Sequence, residues 1–323
     1  MRLAYLALLS SKQIVMDDKK IKWGFLVRRI LQISFFIGCL SMVGASQSSK
    51  VLCEGFAPKN TLNIPASQFV DTGITQEQWT AVFDRFEKIY TPIFKAKGAT
   101  LQLNRLWDDG TVNANASQED TTWIINMFGG LARYQNMTPD GMALVVCHEA
   151  GHHLGGAPVI GGDPTFWASN EGAADYFGVM KCLRKMFADD DNATIVSQLK
   201  VEPTIQKTCG AQFKEVTDQA ICMRGAIAGT LLGRVLGELG QDDAVPSVDT
   251  PDKGAVSETD DSHPAAQCRL DTYYQAANCL ADHNVELSKT DYHVGSCTAP
   301  EYKMGLRPTC WFKPDAADSK TAL

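Results

Sequence analysis

The sequence predicts an α+β fold, mainly helical, with one small β-sheet. Three observations lead there. Apolar residues recur at helical spacing over several long stretches. A single region, "ATLQLNRLWDDGTVNANASQEDTTWIINMF" (99–128), breaks into short β-like pieces separated by turn residues. The 323 residues are 45% hydrophobic and 21% charged, an ordinary globular balance that can fill one large core or two smaller ones.

Taken in order, residues 46–75 read as an irregular lead-in. From Gln76 to about Lys97, Trp79, Val82, Phe83, Phe86, Ile89, Tyr90, Ile93 and Phe94 fall on one helical face. Two or three short strands follow, one of them around Thr111 to Ala116, with Asp109-Gly110 as a break. Thr138-Pro139 then starts a helix. Thr138 serves as N-cap, and Pro139 sits at the first helical position, where its missing N–H does no harm. That helix runs to about Leu154 and is closed by Gly155-Gly156. A loop leads to a second helix at about Glu171–Phe187, and a longer one is expected over 212–239. "GQDDAVPSVDTPDKGAVSETDDSHP" is acidic and rich in Pro and Ser, hence an exposed loop. A helix from Pro264 to about Ala281 and a low-periodicity tail with several cysteines end the chain.

Net charge is −7, which argues against a nucleic-acid partner, because such a partner needs a basic face. The amino terminus, "KKIKWGFLVRRILQISFFIGCLSMVGASQSS", runs from basic to apolar (Ile30 to about Val43) to small residues. This is the order of a secretory signal peptide, with a cut expected after Ala45. The segment before Met16 adds nothing to such a leader, which points to Met16 as the start. The apolar run is short for a membrane span, which needs about 20 residues; an uncleaved anchor, or lipidation at Cys39, is the alternative route to a membrane. Beyond the leader stand nine cysteines, none in a CxxC pair, a usage that suits disulfides in an oxidising compartment. Nine is odd, and Cys147 is expected to be the buried free thiol.

The chemistry sits in "VVCHEAGHHLGG". His148 and His152 are four apart on a helix, so both rings project from one face and can chelate one ion. Glu149 lies about 100° round the helix, close to the ion without being needed as a ligand. This HExxH spacing is the zinc-metallopeptidase signature, with the glutamate as general base. A catalytic zinc wants three protein ligands and one open position. "NEGAADYFG", nineteen residues on, offers Glu171 as the third ligand and Asp175, four residues later, to hold the outer nitrogen of a ligand histidine.

Together "HEAGHHLGG" and "NEGAAD" resemble the HtpX-like and CaaX-prenyl-protease group of zinc metallopeptidases. "TVNANAS" (111–117) resembles that group's short edge strand, which lies alongside the bound peptide, and "DSHPAAQCRL" (261–270) its later Ser/Thr-His-Pro-x4-Arg segment. The resemblance covers about 105–275 in separated pieces. It implies a zincin-like domain whose edge strand borders the active-site helix, one Zn2+ on His148, His152 and Glu171, and catalysis by Glu149. The implied plan is a signal peptide (1–45), a metallopeptidase domain (46–281) and a cysteine-bearing extension (282–323). The chain departs from the group in that tail and in its long acidic loop (240–262).

The expected function is metalloendopeptidase action on exported or envelope polypeptides, held extended near Asn113, in the periplasm or outside the cell. His263 is expected either to assist catalysis at the oxyanion, to ligate zinc and keep the enzyme latent, or to pack against Pro264. Arg269 is read as a structural ion-pair residue, with an active-site role as the alternative, His153 as a packed or hydrogen-bonded neighbour, and His283 and His293 as surface residues. The rivals are a non-catalytic or latent exported zinc-binding module and a zinc amidase acting on cell-wall peptides.

Overall fold

The computed structural model describes residues 55–67 and 73–319. The expected leader, Met16, Cys39 and Cys53 lie outside those residues.

Thr75 opens the first helix, α1 (Gln76–Ala96), with a reciprocal cap in which Gln78 N–H donates to the Thr75 hydroxyl and the Gln78 side chain accepts from Thr75 N–H. Its buried face is the predicted one, carried by Trp79, Phe83, Phe86, Tyr90 and Phe94. Three strands follow: β1 (Thr100–Leu106), β2 (Ala114–Glu119) and β3 (Thr122–Phe128). β3 is central, parallel to β1 and antiparallel to β2 with Ala116 opposite Ile125, so β2 is an edge strand. The strand expected at 111–116 begins three residues later because side chains occupy the preceding backbone. Asp109 Oδ1 accepts from Thr111 N–H at 2.9 Å, and Asn113 Oδ1 accepts from Ala114 N–H at 2.9 Å.

After the short α2 (Gly129–Arg133) comes α3 (Pro139–Leu154), which begins and ends as its sequence predicts. Thr138 Oγ1 accepts from Gly141 N–H at 3.0 Å, and Gly156 beyond the helix takes the left-handed φ of +71°. The expected helix 171–187 is continuous but not uniform. α4 (Glu171–Phe177) passes into a π-helical turn, Gly178–Leu183, and then α5 (Arg184–Phe187). That turn carries Cys182 to Cys147 of α3.

Beyond α5 lie two further helices that the sequence reading did not place, α6 (Asn192–Ser197) and α7 (Pro203–Gln212). α8 (Val216–Gly240) starts later than expected because Phe213 and Glu215 are extended, which separates it from α7. Cys209–Cys222 rejoins the two. By length and composition α8 could cross a bilayer, yet most of its apolar residues lie in the core, against α9 (Ala266–Ala277) above all. α9 stops short of Ala281, where Asn278 turns its carboxamide back to the Tyr274 carbonyl at 2.9 Å. The acidic segment 241–265 has no regular structure.

The tail is folded against the helices rather than trailing from them, and ends in α10 (Ala316–Ser319). Cys268–Cys310 and Cys279–Cys297 pin it, and Trp311, fully buried, donates from Nε1 to Thr272 Oγ1 at 2.9 Å. All the described residues fall within one compact unit, a mixed helical and β architecture with a three-stranded sheet at the amino-terminal side in sequence. The four disulfides among the described residues fit an oxidising environment such as exported proteins meet.

Candidate metal centre

The centre depends first on how closely α3 and α4 cross. A Cβ on Gly151 would stand 2.7 Å from the Ala174 backbone, so glycine at the third position after His148 lets the helices touch. The link between them is held at both ends: Ser169 N–H donates to the His152 carbonyl at 2.8 Å, and Asn170 N–H to Pro158 at 3.0 Å. Asn170 then caps α4, its Oδ1 accepting from Ala173 N–H at 3.0 Å. Glu171 is therefore the first residue of α4, facing the α3 histidines.

His148, His152 and Glu171 meet as a buried group whose ligand atoms all lie within 4.8 Å of one another. His148 Nε2 is 3.2 Å from Glu171 Oε2, and His152 Nε2 is 3.7 Å from Oε1. The outer nitrogens are already committed. His148 Nδ1 donates to Asp175 Oδ1 at 2.7 Å, and His152 Nδ1 to the Ser169 carbonyl at 3.0 Å. With Nδ1 as donor in each neutral ring, both Nε2 lone pairs point at a carboxylate. Three acceptors then converge without a donor, and His148 Nε2 and Glu171 Oε2 have no hydrogen-bond partner. A cation resolves this arrangement, so the residues fit a metal ion. In its place a proton can serve. Burial pulls His148 down, but the charge and hydrogen bond of Asp175, with Glu171, outweigh it and hold the imidazole at about 9.

Asp175 anchors the second layer. Its Oδ1 accepts from His148, from Arg269 Nη2 at 2.8 Å and from Tyr273 Oη at 2.7 Å, and Oδ2 accepts from Arg269 Nε at 2.8 Å. Burial alone would raise this carboxyl, yet the Arg269 guanidinium and His148 hold it well below the usual carboxylate range. Glu149 is treated differently. It is fully buried with no hydrogen-bond partner for either oxygen, and burial pushes it up to about 8.

His263 approaches from the far side, its Nε2 3.2 Å from Glu171 Oε2 and likewise without a hydrogen-bond partner. Asn170 helps deliver it, since its Nδ2 donates to the Asp260 carbonyl at 3.0 Å. A cavity of about 180 Å³, lined in part by His263, Arg269 and Pro58, lies beside it.

Phe56 covers one side of the site. Phe56, with no exposed surface, packs edge-on against His148 with centroids 5.0 Å apart, and its carbonyl accepts from Arg269 Nη1 at 2.6 Å. Phe56 N–H donates to the Ala114 carbonyl at 2.9 Å, and Ala57 N–H to Asn113 Oδ1 at 2.9 Å. The outer edge of β2 near Asn113, where an extended polypeptide was expected, is thus occupied at Ala114 by the chain itself.

The other candidates sort plainly. Cys147 is not the free thiol. It bonds Cys182, because its face of α3 meets the π-helical turn rather than open core. His153 is buried on the opposite side from the centre, stacked on Trp123 with the rings 6° from parallel. His283 is half-buried, and exposed His293 sits 2.8 Å from Asp291 and 3.1 Å from Asp318. The sequence reading missed Tyr273, the Ser169 carbonyl and Phe56. Asn170 could have been found from its cap position before Glu171, but a backbone carbonyl and a distant phenylalanine carry no local signal.

No protein-family model matches the chain, and no curated protein or solved structure matches it significantly.

Proposed function

We propose that the chain is a zinc-dependent metalloendopeptidase of the HtpX-like and CaaX-prenyl-protease type, zincin-like in its catalytic core, acting on exported or envelope polypeptides. One observation carries this reading. Two tautomer-locked histidines and Glu171 aim three acceptors at one point, next to a buried glutamate that no other group uses. Two imidazoles and a carboxylate are the donor set of hydrolytic zinc sites, and a purely structural site has no use for Glu149. When bound, zinc supplies Lewis acidity, polarising a peptide carbonyl and acidifying water towards a pKa of about 7.

The chain's residues do the rest. His148 and His152 hold the ion through Nε2, with Asp175 and Ser169 fixing ring orientation. Glu149 accepts a proton from the attacking water and returns it to the nitrogen of the leaving amine. Its desolvated carboxylate is a stronger base than an exposed one, and a nearby cation offsets part of that rise.

In this conformation the enzyme is latent. Glu149 and His148 have no exposed surface, Phe56 occupies the β2 edge, and His263 faces Glu171. Substrate must displace residues 55–64 to lie beside β2 as an added strand.

Metal analysis and casein hydrolysis test both readings. Zinc should be retained at one ion per chain in the wild type and in Glu149→Gln, with activity lost in the variant; absence of zinc, or equal measurable activity in both, overturns the assignment. If the wild type holds zinc but is inert, His263→Ala and Phe56→Ala should each release activity. A fall in activity on His263→Ala would instead make His263 an oxyanion donor.

A further inference from the structure

Behind α3 lies a second cavity, of about 230 Å³, whose lining includes none of His148, Glu149, His152 or Glu171. Its floor comes from α1, β3, the end of α3 and the end of α4, and its outer wall from tail residues 283–287 and 289. Tyr90, Ile93, Trp123 and Phe177 make that floor largely apolar, and Leu287 faces it from the wall. An apolar cavity of about 150 Å³ holds a benzene, so this one takes a somewhat larger body.

The rim has the opposite sign to the molecule. Lys97, Lys181, Lys185 and Lys289 line the cavity against a single lining carboxylate, Glu286, in a chain of net charge −7. Glu286 is taken by Lys97. The other three ammoniums are held by neutral acceptors: Lys181 by the Asp282 carbonyl at 2.7 Å, Lys185 by Asn284 Oδ1 at 2.5 Å, and Lys289 by the Trp167 carbonyl at 3.0 Å. Each ammonium has three N–H donors, so capacity remains after these bonds. The Asp282 carboxylate, near Lys181 and Lys185, offsets only part of the excess.

We propose that this cavity binds a small amphipathic carboxylic acid, its apolar body on the aromatic floor and its carboxylate at the lysine rim. The site is independent of the metal centre and of the peptidase reading.

Calorimetric titration of the full chain with three probes tests it: decanoate, 1-decanol and decyltrimethylammonium. Decanoate should saturate at one site per chain, with the neutral and cationic probes not saturating. Lys185→Ala/Lys289→Ala, which removes two rim charges, should weaken decanoate at least about tenfold, the scale of charge-assisted hydrogen bonds. Non-saturable binding, equal affinity for decanol, or decanoate affinity unchanged in the double variant would each overturn the proposal.

Discussion

Asp175 shows how one side chain can set a whole site. It accepts from His148, Arg269 and Tyr273 at once, and thereby fixes the tautomer that turns His148 Nε2 towards Glu171. Asp175→Asn leaves the Arg269 charge buried and undercompensated, which should cost about 3 kcal/mol in denaturant unfolding. It should also weaken metal binding roughly 10- to 100-fold in chelator competition. A second prediction concerns Lys181, whose pKa burial lowers from 10.5 to about 7. The unfolded chain keeps that proton to about 10.5, so between those values unfolding takes up a proton and stability rises with pH. Lys181→Met should flatten the difference in melting temperature between about pH 7 and 9. His148, Glu149 and His152 were legible as a group because a four-residue helical spacing is local. Phe56, which sits against His148 from 92 positions away, was not, since nothing in its neighbourhood encodes that contact.

Among elements, the crossing of α3 and α4 decides whether the ligands meet. Gly151 stands where any side chain would strike the Ala174 backbone. Gly151→Ala should push α4 outward, cost about 1–3 kcal/mol as overpacking does, and lower the metal content of the purified protein. α1 and α3 could be read almost to the residue, because their caps and apolar spacing agree. The π-helical turn could not. It has the composition of an ordinary helix, and only its packing against α3, with the Cys147–Cys182 bond, distinguishes it. The start of β2 was misplaced for the same kind of reason, as side chains of Asp109 and Asn113 take backbone groups that periodicity alone assigns to a ladder.

Across the whole molecule the tail is structural as well as peripheral. Trp311 lies where a Cβ on Gly172 would stand 2.2 Å from its ring, so the tail braces the first turn of α4, beside Glu171. Cys279→Ala/Cys297→Ala should destabilise the protein by about 3 kcal/mol in chemical unfolding, the scale for a loop of this length. If the candidate site holds an ion, its metal content should survive that change, whereas decanoate affinity should fall, because this disulfide brackets residues 283–289.

By itself the sequence determined most of the helical frame, the β region and the members of the cluster that could hold a metal ion, because each rests on spacing within a few turns of chain. Only the tertiary structure decided which cysteines pair, what covers Glu149 and how α4 meets α3. Those outcomes depend on contacts between distant segments, where burial and close approach choose among alternatives that local spacing leaves equal.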